Sequence, residues 1–170
     1  MDEDEVLRVI DQLTAAGIRV WVDGGWGVDA LVGRHTRRHD DLDLALPLVD
    51  VDRALRVLAA LGYHVVDDEL PTRADLRADD DRRVDLHPLT FDTDGNGLQQ
   101  LQDRSFGTYT ADGLRGEGTI AGRRVDCLTP DLQIRFHLGY PPDDNDRHDV
   151  RLLAERFDLP LPSEYQGKRL

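Results

Sequence analysis

The stretch VDGGWGVD at residues 22–29, followed by DLDLAL at residues 41–46, decides the fold. Residues 18–22 are rich in β-branched and aromatic side chains and predict a short buried strand. Residues 26–32 fit a short helix that Gly33 closes. A pair of glycines separates the two segments. The stretch therefore predicts a strand, a glycine turn and a helix in immediate succession.

The glycine pair is suited to contact phosphate groups. Gly24 and Gly25 let the backbone approach a ligand closely, and the helix that follows presents free N–H groups and the positive end of its dipole. A Gly-Gly pair by itself is more often only a tight turn. Its position ahead of a strand with paired aspartates favours a phosphate-binding turn.

The second motif is the aspartate pair in residues 41–46. The Asp-x-Asp spacing also occurs in acidic turns and helix caps of this chain, so the spacing alone carries little weight. Asp41 and Asp43, however, alternate with leucines, and this period of two places both carboxylates on one face of a strand. Like charges held this close favour a bound cation, and carboxylate and phosphate oxygens suit Mg²⁺. The pair is therefore a predicted magnesium site.

A third carboxylate, Asp85, lies in a later strand-like segment at residues 83–89. Alternation along this segment places Asp85 and His87 on the same face. If the segment lies beside residues 41–46, three carboxylates converge on one site. Without that pairing, Asp85 is an ordinary surface residue. His87 is either a hydrogen-bonding partner within the site or a contact for the acceptor.

The rest of the chain alternates between helix and strand patterns. The further predicted helices are 3–16, 51–61, 130–138 and 146–157, and the further predicted strands are 63–66, 118–120 and 123–128. The segment 91–118 is rich in glycine, aspartate and threonine and is the least regular part. This layout predicts an α+β fold, in which a small mixed sheet is covered by helices.

The composition restricts the partners of the protein. A formal net charge of −13 and a pI near 4.7 disfavour nucleic acid and favour cationic partners. The sequence has no apolar run long enough to cross a bilayer, and its acidic start is unlike a signal peptide, so we expect no membrane association and a cytoplasmic location. The single cysteine, Cys127, lies in an apolar run and is predicted to be buried rather than catalytic.

Together these motifs resemble the antibiotic-nucleotidyltransferase branch of the DNA-polymerase-β-like superfamily. The resemblance is carried by WVDGGWGVDAL at 21–31 and RHDDLDL at 38–44. VDGGWGVD at 22–29, DLHP at 85–88 and FHLGY at 136–140 look closer to the small lincosamide nucleotidyltransferases than to the aminoglycoside 2''-nucleotidyltransferases. Asp40 departs from the lincosamide pattern, which has a basic residue there, so Asp40 is not expected to be an obligatory ligand.

The resemblance implies a polymerase-β-like nucleotidyltransferase fold. The nucleotidyltransferase domain would comprise residues 1–128, followed by a short C-terminal helical lobe at 129–160 and a tail at 161–170. Dimerisation is common in this branch, so a homodimer is an expectation that rests on the resemblance alone. The irregular segment 91–118 is the best candidate for acceptor recognition, because loops on a rigid scaffold usually carry specificity.

The resemblance also implies the cofactors and the roles of individual residues. Two Mg²⁺ ions would bridge the triphosphate of ATP; one would lower the pKa of the acceptor hydroxyl and the other would stabilise the departing pyrophosphate. Asp85 would share the first metal and accept the proton of the hydroxyl. The implied site residues are Asp41, Asp43 and Asp85 as catalytic and metal-binding groups, Gly24, Gly25, Trp26, Arg38 and His39 as nucleotide-binding groups, and His87 as a substrate-binding group.

Several neighbouring residues have structural alternatives. Asp23 either orients the glycine turn or touches the substrate. Arg37 and Arg38 either offset phosphate charge or lie on the surface. His137 is better explained as a core histidine with a satisfied hydrogen bond. The side chain of Trp26 is predicted to pack its helix onto the sheet rather than to stack on adenine.

The expected function is the transfer of AMP from ATP to a hydroxyl of a small cationic antibiotic. A lincosamide is the first expected acceptor and an aminoglycoside the second. The competing hypothesis is a toxin-like nucleotidyltransferase, or an inactive nucleotide-binding module, that acts on a macromolecule. The acidity of the chain argues against an RNA target, and the presence of all three carboxylates argues against inactivity.

Overall fold

The computed structural model describes residues 1–166. The helices in this range are α1 (Glu3–Ala15), α2 (Gly24–Val32), α3 (Val51–Ala60), α4 (Pro130–Phe136) and α5 (Asp144–Phe157). The strands are β1 (Trp21–Val22), β2 (Asp41–Pro47), β3 (Tyr63–Glu69), β4 (Arg73–Ala78), β5 (Arg83–Phe91), β6 (Gly97–Gln100), β7 (Phe106–Tyr109), β8 (Gly116–Ile120) and β9 (Arg123–Cys127).

These strands form one mixed sheet with the order β3-β4-β5-β2-β1-β9-β8, and the β6–β7 hairpin is attached to β5. β2 runs parallel to β5 and β1 parallel to β9, whereas the other pairs are antiparallel. The predicted α+β fold with a mixed sheet is confirmed. The sheet is wider than the sequence pattern predicted, because β4, β6 and β7 extend it.

The hydrophobic core lies between one face of the sheet and helices α1 and α3. Val9 of α1, Leu58 of α3 and the strand residues Leu42, Leu44 and Leu86 are fully buried in one cluster. The leucines of β2 and β5 therefore point into the core, as the alternation of DLDLAL requires. The alternating aspartates are directed to the opposite face.

Helix α2 begins earlier than predicted, at Gly24 instead of Trp26. Asp23 is its N-cap, and the Asp23 carboxylate accepts a hydrogen bond from the Gly24 N–H at 2.7 Å. The glycines are thus the first turn of the helix rather than a separate loop. Gly33 closes the helix in the left-handed conformation with φ 73°, as predicted.

Of the strand predicted at 18–22, only Trp21–Val22 pairs with neighbouring strands. Trp21 pairs with Ala45 in an antiparallel register, so a longer strand would meet Pro47 and the 3-10 turn Leu48–Asp50. Proline has no N–H to donate to a ladder, which explains why the pairing stops there.

The segment 91–118, predicted to be the least regular part, contains the β6–β7 hairpin and the 3-10 turn Gly113–Arg115. The strands of this hairpin are short and read GLQQ and FGTY, so they lack the apolar alternation that identifies β2. The hairpin covers one edge of β5 and brings the side chains of Gln99 and Tyr109 towards the acidic face of the sheet.

The C-terminal part departs from the prediction of a tail at 161–170. Tyr165 is 1% exposed, and its hydroxyl donates to the main-chain oxygen of His137 at 2.5 Å. It shares a buried cluster with Val28 of α2 and Val150 of α5. Residues 167–170 lie outside the described range. The predicted division at residue 128 stays a prediction.

Among residues 1–166, no helix combines the length and the apolar character that a membrane span requires.

Candidate active site

The acidic site is built by the parallel pairing of β2 and β5. Asp43 and Asp85 are direct partners in this register, and Asp41 lies on the same face of β2, opposite Arg83. The pairing therefore brings together the three carboxylates that the sequence singled out. Their catalytic and metal-binding roles stay a prediction, which the geometry makes specific.

The carboxylates destabilise one another's charged forms. Burial, followed by the charges of Asp43 and Asp75, raises the pKa of Asp85 to about 7. Burial and then the charge of Asp43 also raise the pKa of Asp41. Asp75 belongs to β4 and is the register partner of Asp85 on that side. Four carboxylates thus follow one face across three neighbouring strands.

This arrangement fits a divalent cation. The Oδ1 atom of Asp85 is buried and has no hydrogen-bond partner among residues 1–166. Closely spaced carboxylates with an unpartnered oxygen are the donor set that Mg²⁺ prefers, and a cation would relieve their mutual repulsion. Asp43, Asp85 and Asp41 are the residues that would hold such an ion.

The glycines of α2 allow two functional groups to approach the first turn of the helix. Gly24 adopts φ 57°, and a Cβ atom at this position would collide with the Oδ2 atom of Asp43. A Cβ atom on Gly25 would collide with the Nδ1 atom of His39 and approach the guanidinium of Arg37 to 2.6 Å. The structure thus packs Asp43 and His39 directly against the turn that the sequence predicted to bind phosphate.

His39 is held in place by a buried carboxylate. Its Nε2 atom lies 2.6 Å from the Oδ2 atom of Asp29, and His39 is 2% exposed. The other oxygen of Asp29 accepts from the Thr36 N–H at 3.1 Å and from its hydroxyl at 2.5 Å. Both oxygens of Asp29 therefore have hydrogen-bond partners, and the Nδ1 side of the His39 ring faces Gly25.

The side chain of Trp26 has a structural role. The indole is 1% exposed and packs on the rings of His35 at 5.1 Å and His39 at 4.8 Å between centroids. It does not line the cavity beside Asp43. This agrees with the expectation that the side chain packs the helix, and it leaves only the backbone N–H of Trp26 for a nucleotide contact.

The two neighbouring arginines have different surroundings. Arg37 approaches Gly25 and is bound to the buried Asp149 of α5, with 2.6 Å between Nη2 and Oδ2. The side chain of Arg38 is 89% exposed and lies 3.6 Å from Asp40. The structure directs the side chain of Arg38 into solvent rather than to the glycine turn. Arg37 is the arginine at the turn.

A cavity of about 840 Å³ opens beside Asp43 and Gly24. Its walls combine apolar and acidic side chains: Leu101, Tyr109, Phe136 and Tyr140 are apolar or aromatic, and Asp23, Glu69 and Asp103 are acidic. Arg73 is the arginine on its lining, where it donates to Glu69 at 3.0 Å. Asp41 and Asp85 do not line this cavity, which therefore extends from the acidic site on the side of Asp43.

His87 and His137 both line the cavity. The Nε2 atom of His87 lies 3.2 Å from the Oδ1 atom of Asp43, so His87 contacts this carboxylate as well as the cavity. His137 is 9% exposed and its Nδ1 atom lies 2.7 Å from the main-chain oxygen of Gln133, which fits a satisfied core histidine at the cavity wall.

Sequence reasoning missed Asp75, Gln99 and Tyr109. Asp75 lies in RADLRA, which alternates in burial along β4 and could have been read as a strand from that pattern. For Gln99 and Tyr109 the sequence offers no comparable signal, because they meet His87 and Asp23 only through the folding of the β6–β7 hairpin onto β5.

Asp23 has the structural role considered for it, and its contact with the substrate stays a prediction. It caps α2, and it also lines the cavity, where its Oδ2 atom lies 3.5 Å from the hydroxyl of Tyr109. Burial is the main cause that raises the pKa of Asp23.

Comparison with known proteins identifies the relatives of this chain. The family model of the aminoglycoside-2''-adenylyltransferases matches residues 5–153. A lincosamide resistance protein of Staphylococcus haemolyticus is 27% identical over 89% of this chain and 93% of its own length. A 2''-aminoglycoside nucleotidyltransferase of Escherichia coli is 30% identical over 75% of this chain and 69% of its own length.

Solved structures show the same fold. The lincosamide antibiotic adenylyltransferase LnuA, in a lincomycin-bound crystal structure, superposes with a TM-score of 0.81 at 27% identity, over 90% of this chain and 96% of LnuA. The solution structure of the antibiotic-resistance factor ANT(2'')-Ia gives a TM-score of 0.68 at 26% identity, over 92% of this chain and 86% of that protein. The predicted nucleotidyltransferase fold and the resemblance to antibiotic nucleotidyltransferases are confirmed. The chain belongs to the aminoglycoside-2''-adenylyltransferase family and is a nucleotidyltransferase.

Proposed function

We propose that this protein transfers AMP from ATP to a hydroxyl group of a small cationic antibiotic, with a lincosamide as the preferred acceptor. The observation that carries the proposal is the position of Asp43. One of its oxygens faces Gly24 at the start of α2, its register partner is Asp85, and the carboxylate borders the cavity. A single residue thus joins the phosphate turn, the acidic cluster and the acceptor cavity.

The donor side is formed by the first turn of α2 and the residues packed against it. The N–H groups of Gly25 and Trp26 lie in the first turn of the helix, where backbone donors lack intrahelical partners and the dipole favours anions. Arg37 and His39 lie against Gly25 and add positive or hydrogen-bonding groups for the triphosphate. Asp29 orients His39 for this contact.

The residues at the acidic cluster would hold magnesium and receive the proton. When bound, magnesium neutralises charge on the triphosphate and lowers the pKa of the acceptor hydroxyl. Asp85 has one oxygen without a protein partner and a pKa raised to about 7 by burial and by Asp43 and Asp75. The oxygen without a protein partner is available to accept the proton of the hydroxyl, and this is the role that we propose for Asp85.

The lining of the cavity supports a lincosamide as the preferred acceptor. Its apolar side, with Leu101 and Phe136, suits a molecule that has an alkyl portion, and its acidic rim, with Glu69 and Asp103, suits an amine. A lincosamide combines both features, whereas an aminoglycoside is polar and polycationic throughout. The aminoglycoside stays the alternative acceptor, because the net charge of −13 favours any cation.

The test is a transfer assay with defined acceptors. The protein is incubated with Mg-ATP and separately with lincosamides and aminoglycosides, and each acceptor is examined by mass spectrometry for the addition of AMP. The Asp43→Asn variant is the control for contaminating activity. We expect adducts with lincosamides. Adducts with aminoglycosides alone would overturn the preferred acceptor, and adducts with neither class would overturn the drug-modifying function.

The macromolecular alternative gives a different result in the same experiment. A toxin-like enzyme would leave both antibiotic classes unmodified and would label RNA or protein with radioactive AMP from ATP. The strongly acidic composition makes RNA a poor target, because its phosphates are repelled.

A further inference from the structure

We propose that Gln99 is a positioning residue of the acceptor site, which fixes the proton of His87 on Nε2 and thereby orients the carboxylate of Asp43. This inference deepens the proposed function and rests on it for the catalytic role of Asp43. The hydrogen-bond arrangement itself can be tested without any transfer activity.

Gln99 is buried and lines the cavity, and both N–H groups of its side-chain amide have hydrogen-bond partners. It is 8% exposed and lies on β6. The Nε2 atom donates to the main-chain oxygen of Thr72 at 2.9 Å and lies 3.2 Å from the Nδ1 atom of His87. The Oε1 atom accepts a hydrogen bond from the hydroxyl of Tyr109 at 3.0 Å.

Thr72 determines which way the amide faces. The main-chain oxygen of Thr72 can only accept, so the nitrogen of Gln99 must be directed to it. A half-turn of the amide would place Oε1 against that carbonyl and bring two acceptors together. The second N–H of Gln99 is consequently directed to the ring of His87.

The orientation of Gln99 in turn determines the tautomer of His87. Because an N–H of Gln99 faces Nδ1, this ring nitrogen must act as the acceptor, and the proton of the neutral ring lies on Nε2. The Nε2–H group then donates to the Oδ1 atom of Asp43 at 3.2 Å. The other tautomer would set two donors against each other at Nδ1 and two acceptors against each other at Asp43.

The chain of hydrogen bonds holds the carboxylate of Asp43 from both sides. Its Oδ1 atom is bound by His87, and its Oδ2 atom packs against Gly24. Partners that orient metal-binding side chains typically change metal affinity or activity by about 10–100-fold when they are removed. The Oε1 atom of the same amide also accepts a hydrogen bond from the hydroxyl of Tyr109, which fixes this ring on the cavity wall.

The experiment compares Gln99→Met with Gln100→Met. Methionine keeps approximately the length of glutamine but removes its hydrogen bonds. Gln100 is the next residue of the same strand, has its side chain on the opposite face and does not line the cavity, so it is the matched control. The ring nitrogens of His87 are observed by ¹⁵N NMR in the metal-free protein, and acceptor kinetics are measured as a function of Mg²⁺ concentration.

At a pH high enough to deprotonate the ring, we expect the wild-type protein and Gln100→Met to show a neutral His87 ring with its proton on Nε2. In Gln99→Met the ring loses this single tautomer, the Mg²⁺ concentration for half-maximal rate rises, and kcat falls by about 10–100-fold. A wild-type ring with its proton on Nδ1 would overturn the inference. So would a Gln99→Met variant that is less stable to heat but keeps the wild-type tautomer and Mg²⁺ dependence, since Gln99 would then be merely structural. If the wild-type protein modifies no acceptor, the proposed function fails, whereas the NMR measurement still decides the role of Gln99.

Discussion

The three predicted carboxylates have unequal surroundings at the residue scale. Asp43 contacts His87 and packs on Gly24. Asp85 has a buried oxygen without a partner among residues 1–166. Asp41 lies two residues before Asp43 on the same face of β2. The adjacent Asp40 is 81% exposed in its side chain and pairs with Arg38. Asp40 and Asp41 are neighbours in sequence but differ in their surroundings. The side chain of Asp41 is directed to the acidic face of the sheet, and the side chain of Asp40 is directed to solvent.

This difference predicts the effects of two isosteric substitutions. Asp43→Asn should lower kcat about a thousandfold or more, since losing several kcal/mol of metal-assisted stabilisation corresponds to that factor. Its free energy of unfolding should be unchanged or higher, because one of the repelling charges is removed. Asp40→Asn should keep wild-type kinetics. Steady-state assays and urea unfolding measure both quantities, and a fully active Asp43→Asn variant would refute the site.

The glycine turn gives a second prediction at this scale. Gly24→Ala and Gly17→Ala both place an alanine at positive φ, 57° and 73° respectively, so each should destabilise the protein by about 1–2 kcal/mol. Only the Cβ atom of Gly24→Ala collides with the carboxylate of Asp43, whereas the Cβ atom at position 17 has open space. Thermal unfolding should thus show a loss for both variants, at least as large for Gly24→Ala, and the transfer assay should show a loss of activity for Gly24→Ala alone. Equal activities of the two variants would contradict the close approach of Asp43.

At the scale of elements, an ion pair connects helix α5 to the loop that precedes β2. The guanidinium of Arg37 binds Asp149 of α5 through Nε at 3.0 Å and Nη2 at 2.6 Å, and Asp149 is 1% exposed. The same loop carries His39 and approaches the start of α2. Helix α5 therefore helps to position the residues that we propose to bind the triphosphate.

We predict that breaking this ion pair has two consequences. Asp149→Ala should destabilise the protein by about 3 kcal/mol, because it leaves the charge of Arg37 without its buried partner. It should also raise the KM for ATP, because Arg37 lies against Gly25. The control is Asp40→Ala, which breaks the exposed pair with Arg38 and should change stability by less than about 1 kcal/mol. Urea unfolding and ATP kinetics decide, and equal effects of the two substitutions would contradict the structural role of α5.

At the scale of the whole molecule, the charge of −13 acts on both substrates with opposite sign. The field attracts a cationic acceptor and repels Mg-ATP, which is an anion, and added salt screens both effects. We therefore predict that the KM for the acceptor rises with sodium chloride concentration while the KM for Mg-ATP falls or stays constant. Both constants are measured at fixed free Mg²⁺ concentration. An acceptor KM that is independent of salt would show that the net charge does not assist acceptor binding.

The fold was predictable where a local pattern repeats. The alternation in DLDLAL identified β2, and the apolar spacing of α1, α3 and α5 identified these helices to within a few residues. The hairpin β6–β7 and the strand β4 were missed. GLQQ and FGTY have no alternating apolar face, whereas RADLRA alternates charged and apolar residues and could have been recognised as a strand.

The sequence by itself determined a glycine pair at the start of a helix, Gly24 and Gly25, and two aspartates on one face of a strand, Asp41 and Asp43, because these are local features with a fixed geometry. Only the tertiary structure decided the rest. The parallel register of β2 and β5 placed Asp85 beside Asp43, and the hairpin placed Gln99 beside His87. Two further features also depend on contacts between distant segments: Arg37 rather than Arg38 lies at the glycine turn, and Tyr165 is buried. Such contacts join segments that are distant in the chain, and they depend on packing and register, which no local pattern specifies.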